Sequence, residues 1–116
     1  MDTQTRIDAY TEALAPLTSL WQDAIALAGQ ASSLRDLEHQ SVTLATDLEA
    51  IDTVLTRVTT DISRGATRIK AASLRPDIDE SELDQLSRDE VRKRTRWIDY
   101  AEARIGAAFI TYEAVN

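Results

Sequence analysis

The sequence predicts an all-α chain: an extended antiparallel helical bundle of three main helices, with a long, coiled-coil-like central helix at about residues 32–73. Three observations carry this. Apolar residues recur at spacings of three and four along most of the chain, the period of a helix with one buried face. Only 3 glycines and 2 prolines occur in 116 residues, so breaks in regular structure are few and their positions are informative. From Leu34 to Ala72 a heptad frame runs without interruption, the pattern of helix-on-helix packing.

The first helix is expected at about residues 5–28. Ile7, Tyr10, Leu14, Leu17, Trp21, Ala24 and Ala28 share one face, which places Trp21 in the core. Gly29 is positioned as a stop, since it accepts the left-handed conformation that closes a helix. Pro16 lacks an N–H and crowds the preceding turn, so a kink near Leu14 or a fresh start at Pro16 is expected.

Ser32 or Ser33 then caps the second helix, and Ser33-Leu34-Arg35-Asp36 resembles a capping box with Asp in place of the usual Glu. Its frame is Leu34, Leu37, Ser41, Leu44, Leu48, Ile51, Leu55, Val58, Ile62, Gly65, Ile69 and Ala72. Thr59-Thr60 and Gly65 are its weak points, where helix propensity sags. Arg75-Pro76 ends the pattern. The last helix opens either near residue 80, in an acidic stretch, or at Ser87-Arg88-Asp89-Glu90, which reads as a full capping box, and runs to about 114. It carries Val91, Ile98, Ile105 and Tyr112 in one row, with Ala101 and Ala108 beside them for close backbone approach. The whole chain, 1–116, reads as one helical domain.

Composition narrows the function. A net charge of −7 disfavours direct nucleic-acid binding, which needs a positive field. With no cysteine and a single histidine, His39, thiolate and zinc sites and histidine-based triads are excluded. Glu38 and His39 are adjacent, point about 100° apart on a helix, and do not share a metal. His39 reads as a surface residue. The acids Asp77, Asp79, Glu80, Glu82 and Asp84 lack the spacing and glycine of a calcium loop and read as a helix entry. No glycine-rich phosphate loop is present. No enzymatic activity, cofactor or metal is therefore expected. The start MDTQTRIDAY has no basic-apolar leader pattern, and no stretch is apolar enough for a membrane span. A soluble protein of the cytoplasm or of a virion is the expectation.

Partners are expected from geometry. A central helix of roughly 40 residues outreaches flanking helices of about 24 and 27. Its ends would then each meet a single helix, with Val42, Ala45 and Val54 widening an open seam. Exposing such a stripe costs about 25 cal/mol per Å², and another copy of the chain or another protein would cover it. A polar feature adds to this: Arg88, Arg92 and Arg96 lie four apart on the last helix and Trp97 follows. Asp84–Arg88, Asp89–Lys93 and Glu90–Arg94 stand at the spacing of ordinary surface ion pairs on the same helix. The candidate interface residues are accordingly Arg88, Arg92, Arg96, Trp97, Val42 and Val54. A structural or adaptor subunit that oligomerises or docks through helix faces follows, with rings such as viral head–tail connectors as an architectural parallel only. The rival is a small acidic inhibitor or regulator that binds a basic protein surface.

Overall fold

The computed structural model describes residues 3–38 and 42–115; His39 and the frame position Ser41 lie outside the described residues. Three helices follow one another: α1 (Thr3–Arg35), α2 (Val42–Ser73) and α3 (Glu80–Val115). They have 33, 32 and 36 residues, and each packs on both others. At about 1.5 Å per residue each is about 48–54 Å long, so all three run nearly the length of a rod measuring 61 × 18 × 15 Å. No strand occurs among the described residues.

The expected class stands, but the boundary between the first two helices moves. α1 does not stop at Gly29. It continues to Arg35, and the Ser33 hydroxyl donates back to the Gly29 carbonyl within the helix instead of capping a new one. No glycine or other described residue adopts the left-handed backbone conformation. The turn at 36–38 closes through Asp36 N–H to the Ser32 carbonyl and a tighter Leu37 N–H to the Leu34 carbonyl, at 3.3 and 2.9 Å. The middle helix therefore begins at Val42, not near residue 32, and runs unbroken through Thr59-Thr60 and Gly65. α1 also passes through Pro16 without a fresh start.

This shift removes the expected open seam. Three helices of matched length cover one another end to end. Leu44 and Leu48 near the start of α2 and Ile69 near its end are all buried, as are Ile51, Leu55, Val58, Ile62 and Gly65 of the frame. Val54 is a core residue rather than a flank of that seam. Val42 alone of the expected flanking valines is open, at 86% exposure.

The lower end is closed by specific caps. The Asp79 carboxylate accepts the Glu82 N–H at 2.8 Å, so the acidic stretch is the true start of α3, with Glu80 and Glu82 at the positive end of its dipole. The expected box at Ser87–Glu90 lies inside the helix, and both its ends are buried. Arg6 of α1 donates to the Ser73 carbonyl at the end of α2, satisfying an orphan acceptor with a cation.

Gly29 is exposed in a helix interior, and a Cβ there would meet nothing within 4 Å. Gly29→Ala should therefore stabilise the fold by roughly 0.5–1 kcal/mol, seen as a raised midpoint in thermal unfolding followed by circular dichroism. An unchanged or lower midpoint would contradict the continuous α1 described here.

Candidate interaction surfaces

A buried charged layer holds α3 against α2. Glu90 and Arg94, one turn apart on α3, form an ion pair of 2.7 Å with their side chains 4% and 3% exposed. The Arg94 Nε donates to the Asp61 carbonyl of α2 at 3.0 Å, and Arg68 of α2 reaches the other oxygen of Glu90. Gly65 makes this possible, because a Cβ at that position would sit 2.9 Å from Glu90 Oε2. On the other side of α3 the buried Ser87 hydroxyl donates to the Ala13 carbonyl of α1 at 2.8 Å, in the turn preceding Pro16. The Glu90–Arg94 pair, expected on the surface, is thus the polar centre of the bundle. Asp84–Arg88 does form at the surface, at 2.7 Å, while Asp89 accepts from the Gln85 amide at 3.0 Å.

α1 carries more apolar surface than the bundle buries. Its core positions are Ala13, Leu17, Leu20, Ala24, Leu27, Ala31 and Leu34. The expected face was rotated from this one and shares only Leu17 and Ala24 with it. Tyr10 and Leu14 of that face are half-buried, and Ile7, Trp21 and Ala28 are exposed. Trp21, expected in the core, is 39% exposed, with Ile25 beside it at 59%. Ile7, Leu14, Trp21 and Ala28 recur every seventh residue and so form a line along the rod. Ala28 lines the cleft between α1 and α2 together with Leu55 and Thr59, which places the line on the α2 side of α1.

The second surface lies between α2 and α3. Trp97 is half-buried, and the Arg57 guanidinium stacks over its ring 4.7 Å from the centroid. Arg88, Arg92 and Arg96 are all exposed, as the stripe predicts, on the side of α3 turned away from the core. Arg57, Arg64 and Arg68 of α2 extend the positive charge across the cleft. The sequence reading missed this, because the contributing residues sit about thirty positions from Arg96 and only the antiparallel pairing joins them.

Among the described residues, no three His, Cys, Asp or Glu side chains are grouped to hold a metal ion, and no helix is long and apolar enough to cross a membrane. The chain matches no known family, no curated protein and no solved structure.

Two stability measurements test the charged layer. Gly65→Ala should destabilise by about 1–3 kcal/mol through crowding of the Glu90 carboxylate, although alanine is the better helix former. Glu90→Leu leaves Arg94 buried without its partner and should cost about 3–5 kcal/mol, whereas Glu90→Leu with Arg94→Leu should recover most of that loss. Urea denaturation reads both. A double variant as unstable as the single one would show that the pair's attraction outweighs its desolvation.

Proposed function

We propose that the protein is a non-enzymatic structural or adaptor subunit that assembles with further copies through a helix face. The observation that carries this reading is the surplus apolar line of α1, centred on Trp21 and Ile25. Both stand outside the buried core, Trp21 39% and Ile25 59% exposed. Tryptophan is among the residues enriched in binding hot spots. Such a subunit would work in the cytoplasm or in a virus particle, with connector-type rings as the architectural parallel.

A second reading, a small acidic regulator that captures a basic partner, has its own support. The groove between α1 and α3 is lined by Asp8, Glu12, Glu80 and Asp84, and only Asp84 among them has a cation partner among the described residues.

Trp21→Ser combined with Ile25→Ser tests the leading reading. Because both side chains are substantially exposed, helical content should be kept. In sedimentation velocity in 1 M salt, which screens charged contacts and leaves apolar ones, the wild type should run above its 12.9 kDa monomer mass and the variant should return to it. Trp21→Ser by itself should cost about 2 kcal/mol of association, roughly thirty-fold in affinity. A wild-type chain that stays monomeric at every concentration sinks the assembly reading. If that monomer also binds a cationic peptide through the groove, the regulator reading takes its place.

A further inference from the structure

We propose that the basic face between α2 and α3 docks into the acidic groove between α1 and α3 of a second copy, in a head-to-tail contact. The inference deepens the assembly reading and rests on it, but it uses surfaces other than the α1 line.

Charge is distributed unevenly along the rod. The segments 57–70 of α2 and 89–97 of α3 hold eight bases against three acids, of which Arg94 and Glu90 are buried, in a chain whose net charge is −7. The structure brings these segments side by side: Arg57 stacks on Trp97, Arg94 bonds the Asp61 carbonyl and Arg68 pairs with Glu90. Arg64 lies two turns from Arg57 and so faces the same way, while Lys93 stands one turn before Trp97. Arg64, Lys93 and Arg96 are exposed, and none has a carboxylate partner among the described residues. Tyr100, 50% exposed, lies one turn beyond Trp97. The result is a cationic surface with aromatic side chains set into it.

The groove has the opposite character. It runs along Thr5–Pro16 of α1 and Glu80–Val91 of α3. Arg88 is spent on Asp84, and among the described residues Asp8 accepts only the Gln4 amide. Glu12 and Glu80 have no partner among the described residues, so a net negative cleft remains. Its two walls are twelve residues each, as is the run from Arg57 to Arg68, or about 18 Å for all three at about 1.5 Å per residue. The surfaces match in length and oppose in charge.

The two surfaces share α3 but open on different sides of the bundle, so they meet only between molecules. The contact is heterologous and propagates into a ring or a filament. Repulsion between copies of net charge −7 does not forbid it. At physiological salt the screening length is about 8 Å, so only the facing patches count. A nucleic acid fits less well. An 18 Å patch spans only about five base-pair steps, and acids flank it at both ends: Asp77, Asp79 and Glu82 below, Asp47, Asp99 and Glu102 above.

The absence of native cysteine gives a direct test. Copies carrying Glu12→Cys are mixed with copies carrying Arg96→Cys, and disulfide formation between them is timed. The rate should exceed that of a control pair, Glu12→Cys with Thr46→Cys, by about ten-fold or more. It should fall to the control rate in 1 M salt, or when Arg64→Gln and Lys93→Gln are added to the Arg96→Cys copy. Rates equal to the control overturn the proposal. So does a fluorescent DNA duplex that binds through Arg64 and Lys93 while no cross-link forms, which would assign the face to phosphate. If the Trp21 and Ile25 variant loses association while cross-linking equals the control, the assembly reading stands and this contact alone falls.

Discussion

The gap that Gly65 leaves for the Glu90 and Arg94 side chains is the constraint on which the bundle's alignment depends. A three-helix bundle made only of leucine, isoleucine and valine can slide by a turn and lose little, because one apolar layer resembles the next. Here a slide would carry Glu90 and Arg94 away from the gap that Gly65 leaves and from the Arg68 side chain and Asp61 carbonyl. Two charges would then lie in an apolar layer without their hydrogen bonds, which is far more costly than a displaced methyl group. The attraction within a buried pair is largely offset by its desolvation. The pair's value lies in penalising the alternatives, and the Ser87–Ala13 bond extends the same registration to α1.

Most of this fold was legible in the sequence. The frame from Leu44 to Ile69 is the observed core of α2, α2 ends at Ser73 just before the break at Arg75-Pro76, and Ala101 and Ala108 are fully buried. The turn after α1 was not legible. Residues 36–41 contain neither glycine nor proline, and Leu34 and Leu37 continue the heptad spacing across it, so periodicity cannot see the reversal. Gly29 misled because glycine at a helix end and glycine on a solvated face look alike one-dimensionally. Ser87–Glu90 misled for a related reason: hydroxyl-to-carboxylate spacing signals a cap only when the residues are exposed, and burial is decided by other helices.

The surfaces were half legible. The arginine stripe of α3 follows from helical spacing. The continuation of positive charge onto α2 requires knowing which residues the antiparallel pairing places opposite. On α1 an apolar arc wider than the bundle needs offered two possible buried faces. The fold selected the one with Leu20 and Leu27, whose neighbours across the core are present, and left Trp21 and Ile25 outside. That surplus is the feature from which the proposed assembly follows. The excess of apolar surface anticipated on the middle helix belongs to its neighbour.

Three passes are an odd number. Thr3 and Val115 therefore sit at opposite ends of a rod 61 Å long. A pull applied through them would act parallel to the helix axes and load every interhelical interface in shear at once, instead of peeling one helix from its neighbours. The charged layer, in the part of the rod nearer the start of α3, would act as a catch against that sliding.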